Sequence, residues 1–166
     1  MNFLIKFKEI KNNFFKKENA YFLLLALIIF FLDRISKFKI INNFNESAYF
    51  VNNYINIDLI WNIGIGFGLF STNSSLLYNL VTLLIGVVII ILIYVFMKSD
   101  NIEKFSYAII IGGASGNFYD RMIYKAVPDY IDIHYNNFHW FTFNVADIFI
   151  TIGILIFIIK DYLKKA

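Results

Sequence analysis

The stretch SSLLYNLVTLLIGVVIIILIYVFM, residues 74–97, decides the fold class of this chain. It contains no acidic or basic side chain over its whole length. A helix needs about 20 mostly apolar residues to cross the hydrocarbon core of a bilayer, so this stretch is long enough to span a membrane by itself. The composition agrees, since 59% of the 166 residues are hydrophobic and 20% are aromatic, more than in an ordinary soluble domain. We therefore expect an integral membrane protein.

Three shorter uncharged windows accompany this stretch, at residues 19–32, 105–119 and 148–159. Each must take in polar or charged residues at one end in order to cross a bilayer. The sequence thus predicts four transmembrane helices within one domain of residues 1–166, at about 19–41, 74–97, 105–123 and 145–163.

Two segments are predicted to lie outside the membrane, at about residues 42–72 and 124–143. The first contains the alternating stretch YINIDLIWN, residues 54–62, which favours a strand or hairpin. The expected fold class is therefore an all-α membrane protein with four transmembrane helices and a small extracytoplasmic β-containing segment between helices 1 and 2.

The positions of the lysines predict the orientation. Ten of the thirteen lysines precede the first helix, lie between the second and third, or end the chain, whereas only Lys125 lies in the predicted outer segments: the ten are Lys6, Lys8, Lys11, Lys16, Lys17, Lys98, Lys104, Lys160, Lys164 and Lys165. Because cytoplasmic loops carry an excess of Lys and Arg, both termini are expected in the cytoplasm and the two outer segments outside. A nucleic-acid-binding surface is the competing interpretation of the lysine-rich start, but no basic fold accompanies it, so no nucleic-acid partner is expected.

Polar residues beside the apolar windows need partners, because burying a carboxylate in a bilayer costs at least about 2.5 kcal/mol. Asp33 and Lys37 are four residues apart and are expected to pair on one helical face. The third helix carries Asn117, Asp120 and Arg121 on one face. We expect Asp120 and Arg121 to form a structural or headgroup-binding pair. The preceding motif GGASG should let another helix approach closely.

Asp147 has no basic neighbour three or four residues away, and Asp129, although four residues after Lys125, lies with it outside the predicted helices. The two aspartates stand on either side of a loop that can fold back, which predicts a carboxylate pair. Such a pair can share one proton, because repulsion raises one pKa, and can activate a water against a carbonyl. Two alternatives stay open at this point. Asp147 can serve as a negative charge at a helix N-terminus capped by Asn144, and Asp129, after Pro128, can be an ordinary turn residue.

Other classes of site are disfavoured by the residues present. There is no cysteine, which excludes disulfides, thiolate metal sites and a cysteine nucleophile. His134 and His139 are candidate metal ligands, but no matching His/Glu motif on a helix accompanies them, so no metal site is expected. Asp58 and Asp132 are expected to be solvated.

Five motifs in order resemble the bacterial lipoprotein signal peptidases, also called signal peptidase II. They are DRISK at 33–37, NIGIGFG at 62–68, GGASGNFYDR at 112–121, VPDYID at 127–132 and FNVADIFITIG at 143–153. The resemblance covers nearly the whole chain. It implies an aspartyl endopeptidase that removes the signal peptide of prolipoproteins by cutting before the diacylglyceryl-modified cysteine. It also implies a monomeric, multi-pass protein of the bacterial cytoplasmic (inner) membrane, with its active site near the outer face and no metal or organic cofactor.

The resemblance implies catalytic roles for Asp129, in the V-x-D segment, and for Asp147, in F-N-x-A-D. It implies supporting or substrate-binding roles for Asn62, Gly64, Asn117, Asp120, Arg121, Asn144, Asp33 and Lys37. Three residues depart from those usual in the family, namely Gly66, Lys125 and Pro128. None of them removes a catalytic group, so they bear on substrate preference.

Two functions from other classes compete with a peptidase. A proton- or ion-coupled carrier would use the same carboxylates as a relay. However, the predicted acids gather near one surface, and the inverted repeats typical of carriers are not visible in the sequence. A non-enzymatic four-helix scaffold, whose polar groups only pair with one another, is the third interpretation.

Overall fold

The computed structural model describes residues 17–44, 48–64, 75–136 and 138–165. Within these residues the chain forms four helices and four strands. In chain order they are α1 (Lys17–Asn43), β1 (Tyr49–Asn52), β2 (Ile55–Asn62), α2 (Ser75–Phe96), α3 (Asn101–Tyr124), β3 (Val127–Tyr135), β4 (Phe138–Phe143) and α4 (Val145–Lys165). Part of the first predicted outer segment, including Gly66, lies outside the described residues.

Helix α3 begins four residues before the predicted start at residue 105. Asp100 is its N-cap and accepts hydrogen bonds from the backbone N–H groups of Ile102 and Glu103, both at 3.1 Å. This satisfies two of the amides that every helix leaves free at its start. The helix ends at Tyr124, and its C-cap residue, Lys125, has a left-handed φ of 57°. Glycine adopts that conformation without steric cost, so Lys125 places a side chain where the backbone conformation favours glycine.

Among the described residues, one helix is long and apolar enough to cross a membrane by length and composition, the part of α2 from Leu76 to Phe96, with a mean hydropathy of 2.9. Only 17% of its most apolar window is buried within the molecule. A core helix of a soluble protein would be mostly buried, so α2 requires an apolar surrounding. The other helices carry charged residues within their length, such as Lys37 in α1 and Asp120 in α3.

Helix α3 lies between α1 and α4 at short backbone distances. A Cβ added at Gly112 would stand 2.7 Å from the carbonyl oxygen of Ala26 in α1, and one at Gly113 would stand 2.6 Å from that of Ala146 in α4. Because real side chains do not approach backbone so closely, only glycine fits at these positions. The predicted close approach at the GGASG motif is therefore confirmed, and it holds three helices around the polar residues that follow.

The strands form one antiparallel sheet in the order β1-β2-β3-β4. The four predicted helices and the β-containing segment between the first two are present, but the protein is not all-α, because the second outer segment also forms a hairpin, β3–β4, that pairs with β2. Strand β3 is buried at nearly every position from Val127 to Asp132. Its sequence consequently lacks the simple alternation of a strand with one wet face. The register sets Asp129 opposite Ile60 and Val127 opposite Asn62.

Candidate active site

Asp129 lies near the start of β3 with its carboxylate buried. One oxygen accepts a hydrogen bond of 2.9 Å from Nδ2 of Asn62, at the end of β2. The other accepts a hydrogen bond of 2.5 Å from Nδ2 of Asn144, which stands between β4 and α4. Asp129 is therefore a strand residue held by two amides, and the turn interpretation was wrong.

Asp147 lies in the first turn of α4. Its Oδ2 accepts from the backbone N–H of Asn144 at 3.1 Å, and its own N–H donates to Oδ1 of Asn144 at 3.2 Å. This reciprocal arrangement is a capping box. Its Oδ1 also accepts a hydrogen bond of 2.8 Å from Nδ2 of Asn117 in α3. The capping interpretation of Asp147 is thus confirmed. The same carboxylate also has a partner outside the cap, Asn117 in α3.

Both carboxylates line one cavity of about 330 Å³. Asn144 is bonded to both, through its side-chain amide to Asp129 and through its backbone amide to Asp147. The structure therefore brings together the two acids that the sequence left without a cation. The remaining walls are polar at one end and apolar elsewhere, and consist of Asn62, Ile85, Ala114, Asn117, Arg121, Val127, Ile150, Thr151 and Ile154.

Burial raises the pKa of Asp129 to about 6, and the nearby negative charge of Asp147 acts in the same direction. The hydrogen bonds from Asn62 and Asn144 oppose this rise, since they favour the carboxylate. An ordinary aspartate has a pKa of about 3.9 and is fully ionised at neutral pH. Asp129 therefore exchanges its proton within the range in which a general acid or base is useful.

Lys37 is completely buried behind the cavity, and its ammonium group donates three hydrogen bonds. Its Nζ donates to Oδ2 of Asp33 at 2.8 Å, to Oδ1 of Asn117 at 2.7 Å and to Oδ2 of Asp120 at 2.7 Å. An ammonium group has three donors and no acceptor, so all three are satisfied here. The predicted Asp33–Lys37 pair is thus present, and it extends to α3.

The hydrogen bond from Lys37 also determines which way the Asn117 amide faces. Because an ammonium group can only donate, the amide oxygen must turn toward Lys37. The amide nitrogen then faces Asp147, to which it donates. Lys37 therefore acts on Asp147 indirectly. It orients the Asn117 amide, and that amide donates the hydrogen bond to Asp147.

Asp120 and Arg121 do not pair with each other, contrary to the prediction. Asp120 forms ion pairs with Lys37 and with Arg34, whose guanidinium also stacks 4.7 Å from the ring centre of Tyr119. Sequence reasoning missed Arg34. The sequence contained a signal for this ion pair, because Arg34 lies three residues before Lys37 and so shares its helical face.

Arg121 instead connects α3 to the first outer segment. Its Nη2 donates to the carbonyl oxygen of Gly64 at 2.8 Å, and its Nη1 donates to that of Asn117 at 3.2 Å. The backbone N–H of Gly64 in turn donates to Oδ1 of Asn62 at 2.8 Å. Arg121 and Gly64 thereby support Asn62, which holds Asp129. The predicted supporting residues are gathered at one end of the helices.

Asp33 connects α1 to the start of α4, where its Oδ1 accepts from the backbone N–H of Ala146 at 3.0 Å. A carboxylate is stabilised at a helix N-terminus by the free amides and the helix dipole. A Cβ added at Gly116 would lie 2.3 Å from Oδ2 of Asp33. The glycine therefore leaves the space that this carboxylate occupies between Ala146 and Lys37.

Two further aspartates had been expected to be solvated. Asp58 is partly buried, and Asp132 is buried with Oδ2 only 2.8 Å from Nδ1 of His139. The expectation for Asp132 was therefore wrong, because the pairing of β3 with both β2 and β4 covers it.

A second, mostly apolar cavity of about 320 Å³ adjoins Asp147 on the side of β4. Its walls consist of Ile133, Phe141, Phe143, Ile148, Thr151 and Ile152. Thr151 and Asp147 line both cavities, so the carboxylate lies where the two spaces meet.

Comparison with known proteins covers most of the chain. A family model described as signal peptidase (SPase) II matches residues 25–163. The lipoprotein signal peptidase of Pelagibacter ubique (strain HTCC1062) is 48% identical over 142 residues, which cover 84% of this chain and 86% of that protein. That of Blochmanniella pennsylvanica (strain BPEN) is 41% identical over 157 residues, covering 91% and 94%. A solved bacterial membrane enzyme, determined by the in meso method at 2.3 Å resolution, superposes with a TM-score of 0.75 at 26% identity, over 89% of this chain and 90% of that one.

Proposed function

Because the chain belongs to the signal peptidase II family, we propose that it removes the signal peptide from prolipoproteins by cutting before the diacylglyceryl-modified cysteine, with Asp129 and Asp147 as an aspartyl dyad. The observation that carries this proposal is that Asp129 and Asp147 line one cavity and that Asn144 is hydrogen-bonded to both of their carboxylates. Two carboxyl groups in such a position can act as general acid and general base in the hydrolysis of a peptide bond.

The surroundings of the two acids decide which of them is protonated and which is ionised. Asp129 has a pKa of about 6 and is the acid that carries the proton before the reaction. Asp147 stands at the N-terminus of α4, where the helix stabilises a negative charge. The amide donors from Asn144 and Asn117 hold it in place.

In the reaction, ionised Asp147 takes a proton from a water molecule as that water attacks the scissile carbonyl. Protonated Asp129 donates to the carbonyl oxygen, so the tetrahedral intermediate is neutralised as it forms. Collapse of the intermediate breaks the C–N bond, and the proton taken up by Asp147 passes to the leaving amine. Asp129 recovers its proton from the intermediate, which restores the starting state.

The two cavities suggest how substrate is received. The apolar cavity beside Asp147 suits an apolar part of a lipid-modified substrate, since it presents Phe141, Phe143 and Ile148. The polar end of the first cavity suits the peptide backbone, because Arg121 and Asn62 are there. Neither residue is a nucleophile, so both act by binding and orientation.

We propose that α1 to α4 all span the bilayer, as one domain and one copy, with both termini in the cytoplasm and the dyad near the outer face. Helix α2 satisfies the length and hydropathy requirement alone. Lys160 of α4 forms ion pairs with Asp100 and Glu103 at the α2–α3 connection, and that connection carries the lysines expected on the cytoplasmic side. The sheet stands at the opposite end, where the exposed rings of Trp140 and Tyr135 suit the membrane interface.

The test is cleavage of a diacylglyceryl-modified prolipoprotein by the purified protein in detergent. We expect Asp129→Asn and Asp147→Asn each to lower the rate at least about 100-fold, and Asp58→Asn, a matched change on β2, to keep it. Full activity of either dyad variant would refute the mechanism. Proton flux across liposomes without any cleavage would instead favour the carrier.

A further inference from the structure

Asp132, His134 and His139 form a compact cluster at the far end of the β3–β4 hairpin. Asp132 and His134 are two residues apart on β3, so they share one face of the strand, and His139 is the register partner of His134 on β4. Oδ2 of Asp132 lies 2.8 Å from Nδ1 of His139 and 3.6 Å from Nδ1 of His134. One candidate ligand atom from each residue lies within 4.8 Å of the others.

The hydrogen bonding of this cluster is incomplete among the described residues. His134 is 8% exposed, and its Nδ1 has no hydrogen-bond partner. Oδ1 of the neighbouring Asn56 is also buried without a partner, although its Nδ2 reaches Oδ2 of Asp132 at 3.4 Å. A buried polar atom left without a hydrogen-bond partner destabilises the folded state. A cation bound between this buried imidazole nitrogen and the buried carboxylate would satisfy both groups.

We propose that Asp132, His134 and His139 bind one divalent transition-metal ion, and that Zn²⁺ fits them best. Two imidazoles and one carboxylate suit zinc, whereas Mg²⁺ and Ca²⁺ prefer oxygen ligands throughout. Zinc ligands at about 2.0–2.2 Å in a tetrahedron lie about 3.3–3.6 Å from one another. Oδ2 of Asp132 lies 2.8 and 3.6 Å from the two imidazole nitrogens, and all three candidate ligand atoms lie within 4.8 Å of one another, so side-chain rotations would bring them to that spacing.

A fourth ligand position remains available for water. The side chain of His139 is 58% exposed, and a polar cavity of about 320 Å³ adjoins His134, lined also by Asn53 and Tyr54. The ion would thus enter from the solvent side of the sheet.

The role of this site is to fasten the hairpin rather than to take part in hydrolysis. None of its three ligands lines the cavity that holds the dyad. Binding would hold β4 against the end of β3, the strand that begins with the segment carrying Asp129. Strand pairing brings the two histidines together here, and a search for His/Glu spacing on a helix does not detect such a site.

The experiment uses full-length protein in detergent without a polyhistidine tag, stripped with chelator and then dialysed against defined Zn²⁺ concentrations. Elemental analysis should find one equivalent of zinc in the wild type, and thermal unfolding should shift upward as zinc is added. His139→Ala should weaken zinc binding at least about 10-fold. Its exposed side chain makes loss of folding unexpected, and Asp132→Asn provides a second variant that keeps the side-chain shape.

Tyr135→Phe, on the same hairpin, is the matched control and should bind zinc as the wild type does. Circular dichroism and gel filtration verify folding independently of peptidase activity. Replacement by Co²⁺ adds a visible absorption that reports the coordination geometry of the site, and this absorption should weaken in His139→Ala. Zinc content no higher in the wild type than in both folded variants would overturn the proposal, whatever the peptidase assay gives.

Discussion

Lys37→Met is expected to damage both the stability and the activity of this protein. The ammonium group is buried and forms two ion pairs, with Asp33 and Asp120, plus the hydrogen bond to Asn117. Methionine fills a similar volume but leaves both carboxylates without this cation. Breaking a buried ion pair by removing one partner costs about 3–5 kcal/mol.

For a chain of this size each kcal/mol moves the unfolding temperature by about 2–4 °C. We therefore expect a decrease of roughly 6–20 °C in thermal unfolding in detergent. Activity should fall as well, because the Asn117 amide loses the contact that turns its nitrogen toward Asp147. A misplaced group at the reacting centre lowers the rate by roughly 10- to 100-fold, and we expect this in kcat more than in KM.

Two further variants sharpen this prediction. Lys39→Met is the matched control, since Lys39 is exposed two residues along the same helix, and it should change neither quantity. Lys37→Met combined with Asp33→Asn should recover part of the lost stability, because Asp120 still has Arg34 whereas Asp33 would otherwise keep no cation. The reasoning would be refuted by a Lys37→Met protein that unfolds and cleaves like Lys39→Met.

Three other predictions follow from single positions. Gly116→Ala should destabilise the protein by about 1–3 kcal/mol, because the new Cβ would stand 2.3 Å from Asp33. Gly86→Ala, which meets a ring edge at 3.1 Å, should be milder in the same unfolding assay. Lys125→Gly should raise the free energy of unfolding by about 0.5–1 kcal/mol, since it relieves a left-handed φ, and a decrease would contradict this. Above pH 6 the value of kcat/KM should fall by about 10-fold per pH unit, because Asp129, with a pKa of about 6, must be protonated to donate. A flat pH profile would argue against Asp129 as the protonated acid.

The same raised pKa predicts the pH dependence of stability. A carboxyl group whose pKa is higher in the folded than in the unfolded state binds its proton more tightly when folded. Its contribution to stability is therefore present at low pH and is lost as pH rises from the ordinary value of about 3.9 to about 6 in Asp129.

Local patterns were sufficient to predict the helices and several of their contacts. The apolar windows predicted four helices because hydropathy depends only on residues close together in the sequence. For the same reason Asp33 could be matched with Lys37. The GGASG motif predicted close packing because small residues permit it regardless of the partner helix.

Contacts between distant segments were not predictable in this way. The Asn62 bond to Asp129 spans 67 residues, and the Arg34 pair with Asp120 spans 86. The sheet that joins the two outer segments and buries Asp132 was also missed. Strand register depends on which segment closes against which, and a one-residue slip reverses every side chain.

The sequence by itself therefore determined a helical membrane protein with two unpaired acids, since hydropathy and charge are properties of single segments. Only the tertiary structure decided that Asn144 joins Asp129 to Asp147 and that His139 faces Asp132. Both facts depend on how β3, β4 and α4 fold back on one another. That arrangement is selected by burial and backbone pairing summed over the whole chain, which no single stretch of residues contains.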